Sequence, residues 1–263
     1  MSTAVMAVPN SEIEIRKRAG SGQVSRAGPT AMILGRVLLF AFYQALIALL
    51  LALQGQANPW YASAAWWPVS VTLANLTCLL LLDGLMRREG LRLVDLYRVG
   101  KHVFWRELLL CLSTFIIGGP ISFFPNILVG QMLFKDPAQL TEMMFRPLPL
   151  GVVLVTMVLF PVTIALSELP TYLGYAMPRL TVQTGSRWWA FMLPVFMLST
   201  QHIALPLIFD GRFLLWRFLI FLPFALWVGL LVRWRPRLLP YMMVIHALMD
   251  ATLFMYLLPI AIH

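Results

Sequence analysis

The chain has 263 residues, of which 60% are hydrophobic and only 12% charged, with a formal net charge of +9. A soluble domain averages about 45–50% apolar and about 25% charged residues, so this composition excludes a soluble globular domain, and with it disorder, collagen-like repeats and disulfide frameworks. Nor does the positive charge point to nucleic acid, which needs a polar, water-exposed domain to carry it. The basic residues lie between apolar runs, the way membrane proteins mark their cytoplasmic loops.

Residues 1–31 are polar and mixed in charge. They read as a cytoplasmic segment rather than a cleaved signal peptide, because the apolar run that follows is too long for an h-region. A spanning helix needs about 20 mostly apolar residues, and seven stretches qualify: 32–54, 61–85, 108–133, 148–177, 188–209, 213–232 and 238–262. In lipid the backbone must satisfy its own hydrogen bonds, so the expected fold is an all-α polytopic membrane helix bundle of about seven transmembrane helices. The expected organisation is a polar N-terminal segment (1–31), N-terminal transmembrane helices (32–147) and a second helix bundle (148–263). The expected place is a bacterial cell (inner) membrane, crossed several times.

Orientation follows from charge. With the N-terminus inside, 15 of the 20 Lys and Arg residues fall in inner regions: the N-terminal segment, 86–107, 178–187 and 233–237. Only Lys135, Arg146 and Arg212 fall outside. That asymmetry predicts N-terminus in and C-terminus out. Trp60, Trp66 and Trp67 anchor an outer edge, and Trp188, Trp189 and Trp234 inner edges. Stretch 86–107 is basic and partly amphipathic, which fits a surface-lying segment or a solvated loop. Arg36 and Arg217, inside segments one and six, are read as snorkelling side chains near helix ends. Cys78 and Cys111, both in apolar runs, are read as small buried hydrophobes with no disulfide or zinc motif.

Ionisable groups deep in a membrane segment cost of order 3 kcal/mol each on insertion scales and are usually functional. Segments four, five and seven hold Glu168, His202, His246 and Asp250, with His263 at the very end. With Arg179, Arg187 and Arg237 as inner-boundary markers, Glu168, His202 and Asp250 lie about 17, 22 and 20 Å along their helices at about 1.5 Å per residue. His246 shares a helix face with Asp250, because i and i+4 side chains stack. Three helices thus offer a carboxylate, an imidazole and an imidazole–carboxylate pair at one depth. Pro161, Pro170, Pro178, Pro194 and Pro206 mark segments four and five, as broken helices bordering a cavity do; ordinary transmembrane kinks leave the same mark. A purely structural polar cluster is the competing reading.

The stretch from Glu168 to Leu180, E-L-P-T-Y-L-G-Y-A-M-P-R-L, resembles the first motif of the CPBP family of intramembrane proteases, the CAAX-processing and bacteriocin-processing (Abi) enzymes. That motif runs roughly E-E-x-x-x-R-G-x-L-x-P-x-L with an aromatic before the Arg. Glu168, Tyr172, Gly174 and Pro178 match it, whereas Leu169 stands at the second Glu and Leu173 at the Arg. Leu198 to His202 resembles the second motif, and His246 to Asp250 the third, H-x-x-x-N/D. The match covers about 155–255 and makes 148–263 the CPBP-like catalytic bundle.

The resemblance implies an intramembrane endopeptidase in which Glu168 activates water, His202 helps position it, and His246 and Asp250 face the scissile carbonyl. An Asp at 250 donates a hydrogen bond only when protonated, so its role is a neutral donor, an orienting partner for His246, or part of a metal site. Two His with one or two carboxylates suit zinc; a zinc-bound and a bare glutamate-activated water both stay open, with Glu168, His202, His246 and Asp250 as the candidate ligands. The expected partners are a membrane-anchored protein or peptide substrate and the lipid bilayer, with no nucleic acid. The lost Glu and Arg of the motif would be a supporting pair replaced together by leucines, a change that is often neutral for stability. The same two leucines favour the competing reading, a catalytically inactive membrane scaffold or binding protein. A proton-coupled transporter would use the groups as a relay, but no internal repeat accompanies it.

Overall fold

The computed structural model describes residues 10–134, 136 and 138–262. Lys135 and His263 therefore lie outside the described residues. The described chain is helical, with helices α1 (Glu12–Gly20), α2 (Gly28–Leu53), α3 (Pro59–Ser63), α4 (Trp67–Arg88), α5 (Phe104–Leu133), α6 (Ala138–Met144), α7 (Leu150–Leu169), α8 (Met177–Thr184), α9 (Arg187–Thr200), α10 (Gly211–Trp234), α11 (Leu239–Ala251) and α12 (Phe254–Ile262). Among the described residues, six helical stretches are long and apolar enough to cross a membrane: Gly28–Leu53, Pro59–Arg88, Phe104–Leu133, Leu150–Thr184, Gly211–Trp234 and Pro236–Ala261. Their outward faces are greasy, with Leu38, Leu80 and Ile116 all exposed. A soluble protein does not show so continuous an apolar surface; a multi-pass membrane protein does. Cys78 and Cys111 are free and buried, as expected.

The fifth expected segment, 188–209, is the exception to the count of seven. Its helix α9 has 14 residues, about 21 Å of rise, and is followed by a 3₁₀ turn, Gln201–Ile203, and irregular backbone to Asp210. Yet this strand of chain lies antiparallel along the whole of α10. Arg233 Nη1 donates to the Arg187 carbonyl at one end, Ser199 Oγ to the Phe218 carbonyl midway, and Arg217 to the His202 and Leu205 carbonyls at the other. A Cβ at Gly229 would sit 2.6 Å from a Val195 methyl, so glycine is what lets α9 and α10 approach. On the opposite flank α5 also runs antiparallel to α10. Glu107 pairs with Arg235 at one end, and the Trp227 ring occupies the space a side chain at Gly118 would need.

Irregular backbone at membrane depth survives only when its polar groups find partners in the protein. Here Gln44 on α2 meets Leu207 as a neighbouring strand would, its Nε2 donating to the carbonyl (2.9 Å) and its Oε1 accepting the N–H (2.7 Å). Trp60 Nε1 gives a second bond to the Leu207 carbonyl. Asp210 then caps α10, its Oδ1 accepting from the Phe213 and Arg212 N–H groups, and those bonds hold its carboxyl below the usual range.

A second irregularity follows Glu168. Residues Pro170–Ala176 form a π-helical turn between α7 and α8. Pro170 has no N–H to give the Leu166 carbonyl one α-turn back, and the orphaned oxygen instead accepts from the Tyr97 hydroxyl at 2.8 Å. This gives the stretch 86–107, between α4 and α5, a contact with the bundle. It folds into 3₁₀ turns at Leu93–Tyr97 and Lys101–Val103, with Leu96 buried against the bundle. Both apolar cores draw on residues before and after position 148.

Tyr97→Phe keeps the ring and removes that donor. Leaving that carbonyl unsatisfied costs about 1–3 kcal/mol, so the variant is expected to unfold at lower temperature in detergent micelles, whereas Tyr43→Phe, whose partner Thr77 keeps its bond to the Leu73 carbonyl, is expected to shift little.

Candidate active site

Glu168 ends the regular part of α7 and is 1% exposed. One carboxylate oxygen, Oε2, accepts from Gln201 Nε2 at 2.7 Å and lies 3.8 Å from Arg36 Nη2. The other, Oε1, lies 3.5 Å from His246 Nε2, and that same nitrogen is 3.4 Å from Asp250 Oδ2. Glu168, His246 and Asp250 therefore form one chain of contacts, and the i, i+4 placement of His246 and Asp250 on α11 is what the spacing predicts.

His202 sits in the 3₁₀ turn at the end of α9, where the regular helix stops. Its Nδ1 lies 2.9 Å from the Leu198 carbonyl, and its ring stacks on Phe221 with centroids 3.5 Å apart. A carbonyl only accepts, so Nδ1 carries the hydrogen and Nε2 of the neutral ring is an acceptor. His202, His246 and Asp250 all line one cavity of about 420 Å³, walled by aromatic side chains such as Trp67, Phe160 and Phe221. Thus Glu168, His246 and Asp250 touch in sequence, and His202 shares a cavity with His246 and Asp250.

Two arginines read as snorkelling do something else. Arg36 is 1% exposed: Nε donates to Gln201 Oε1 (2.8 Å) and Nη2 to Asn75 Oδ1 (3.0 Å), while the buried Nη1 has no hydrogen-bond partner among the described residues. Tyr172 Oη shares its one hydrogen between the same Gln201 oxygen (3.3 Å) and the Ile33 carbonyl (3.2 Å). Two donors on Oε1 fix the amide with its NH₂ toward Glu168; the flipped amide would point N–H groups at a guanidinium. Arg36 misled the reading because α2 does not begin at the surface. Gly28 is buried beside the Tyr175 hydroxyl, so eight residues of rise carry Arg36 to the level of Glu168.

Arg217, 7% exposed, lines the cavity and spends its N–H groups on the carbonyls of His202 and Leu205 (3.0 and 2.5 Å). It thereby holds the turn that presents His202. Nor does Arg179 mark a solvated boundary: it is fully buried, forks onto Glu89 (2.6 and 2.7 Å) and packs over Tyr175. The intramembrane amides Asn75, Gln44 and Gln201 were the available signal for this network, and polar side chains in apolar runs mark buried contacts as acids do.

Among the described residues no three His, Cys, Asp or Glu side chains are arranged to hold a metal ion. Glu168 Oε2 is turned to Gln201 and Arg36 while its Oε1 faces His246, and His202 reaches the cavity from a different element.

Removing one partner of a buried ion pair costs about 3–5 kcal/mol, because the other charge is left uncompensated. Arg36→Leu is therefore expected to lose a free energy of this order in detergent unfolding, and Arg36→Leu with Glu168→Leu to regain at least half of it. An additive double-mutant cycle would show that the two side chains do not interact.

No protein-family model, curated protein or solved structure matches this chain.

Proposed function

We propose that the chain is an intramembrane peptide hydrolase that cleaves a membrane-anchored protein or peptide with a water activated by Glu168. One observation carries the reading: a buried carboxylate touches an imidazole–carboxylate pair, and that pair opens into a cavity shared with a second histidine. Peptide hydrolysis needs a base for the water and a donor for the developing oxyanion. Glu168 takes the proton as the water oxygen bonds to the scissile carbonyl carbon, then delivers it to the leaving nitrogen as the C–N bond breaks. His202 Nε2 accepts a hydrogen bond from that water and orients it. His246 Nε2, between Glu168 Oε1 and Asp250 Oδ2, orients both carboxyl groups, and Asp250, when protonated, donates toward the substrate oxygen.

Under this reading the two departures from the CPBP motif have structural counterparts. Leu169 and Leu173, at the motif's second Glu and Arg, are core residues packed in the larger apolar cluster. Arg36, from a different helix, supplies beside Glu168 the guanidinium that the motif carries at position 173. The competing reading, a membrane scaffold that has lost the reaction, rests on the same two leucines.

In this reading the N-terminus is inside and the C-terminus outside, with α9 and its irregular continuation as the seventh crossing. The clustering of Arg26, Arg87, Arg98, Arg187 and Arg233 at one end of the bundle supports it. In a Cys78→Ala, Cys111→Ala background, a membrane-impermeant maleimide applied from outside is expected to label Gln56→Cys and spare Ser21→Cys; the reverse pattern would invert the topology.

Activity is tested without knowing the substrate. Membranes producing the wild type are expected to show new protein N-termini within or beside apolar segments. Glu168→Gln, His202→Ala and His246→Ala should each reduce them by about 10²-fold or more, with unfolding temperatures confirming that each variant is folded. N-termini that persist in Glu168→Gln would remove hydrolysis by this residue. Their absence from the wild type as well would favour the scaffold.

A further inference from the structure

At the basic end of the bundle a second cavity, of about 460 Å³, opens between α8, α9, α10, α11 and the turn Leu93–Tyr97. Its floor is apolar, built from residues such as Leu173, Phe191 and Leu239. Its rim carries Arg98, Arg187, Arg233 and Arg237 against Glu12 and Asp95, an excess of two positive charges. Arg98 is committed to Asp95 at 2.6 Å. Arg233 covers the Phe191 ring and donates to the Arg187 carbonyl. Among the described residues no carboxylate pairs with Arg187, Arg233 or Arg237.

The depth of the mouth is given independently. Trp188, Trp189 and Trp234 are about two-thirds exposed and adjoin Arg187 and Arg233 in the chain. Exposed tryptophans beside an apolar belt sit at headgroup level, so the arginine rim meets lipid phosphates while the floor lies just below them. Basic pockets between membrane helices on the positively charged side take anionic headgroups. A bare phosphate would use the rim but gain nothing from the floor; a zwitterionic lipid would use the floor but bring its own cation to the arginines.

We propose that this cavity binds an anionic phospholipid of the surrounding bilayer, with the headgroup phosphate on Arg187, Arg233 and Arg237 and the adjoining acyl chain on the apolar floor. None of these arginines enters the hydrolytic reading, so the site stands or falls apart from it.

The test is native mass spectrometry of the full chain in neutral detergent, titrated with phosphatidylglycerol, phosphatidylcholine of the same acyl chains, and glycerol phosphate. Phosphatidylglycerol is expected to bind at least about tenfold tighter than either comparator. Arg187→Gln with Arg237→Gln should lose at least about tenfold of that affinity, whereas the pair of Lys substitutions at the same positions retains most of it. Arg87→Gln with Arg88→Gln, at the same end but outside this cavity, should change it by less than about twofold. Equal binding of phosphatidylcholine overturns the proposal, and so does an equal loss in the Arg87/Arg88 pair, which would mean diffuse surface charge. Glycerol phosphate binding as tightly as the lipid would make this a site for soluble phosphates and overturn the lipid assignment.

Discussion

Hydrocarbon offers no hydrogen bonds, and the architecture around Glu168 follows from that constraint. Two departures from regular helix at membrane depth flank the site, after Glu168 and after Thr200. Each departure frees main-chain groups that lipid cannot satisfy. Tyr97 covers the carbonyl that Pro170 orphans; Gln44, Trp60 and Arg217 cover those of residues 202–207. The polar side chains are thus necessary before any chemistry is considered. Once present, they bring two carboxyl groups, two imidazoles and two guanidiniums into a region enclosed by the surrounding apolar cores.

The two buried arginines act differently. Arg36 is solvated by amides, Gln201 and Asn75, and faces the Glu168 carboxylate at 3.8 Å, so its charge is compensated in place. Arg217 faces backbone carbonyls and the cavity that holds Asp250, and its main effect is geometric: it fixes the turn bearing His202. A lysine in either position would lose the planar fork that reaches two acceptors at once.

Much of this was legible in the sequence, and the failures share a cause. Apolar length and charge asymmetry reveal helices and ends because lipid exclusion acts on composition. The contact of His246 with Asp250 follows from helix periodicity alone. By contrast, the break after Thr200 lies within a continuous apolar run, and hydropathy does not register whether such a run is helical. The depth of Arg36 depends on where α2 begins, which is set by Gly28 packing beside Tyr175 rather than by any local signal.

Where the countercharge of Glu168 comes from has a structural consequence. A guanidinium at position 173 would sit on the same helical stretch as the carboxylate, and the pair would form wherever that stretch folded. Leu173 instead fills the core, and the cation arrives from α2 along with the Asn75 amide of α4. The carboxylate is then compensated only when α2, α4, α7 and the turn after α9 are docked together. Residues 148–263 hold every expected catalytic side chain, yet Glu168 among them would be buried without its cation. Assembly of the whole bundle is for this reason a condition of the site, and the polar network that makes Glu168 tolerable in the membrane also fastens the first helices to the last.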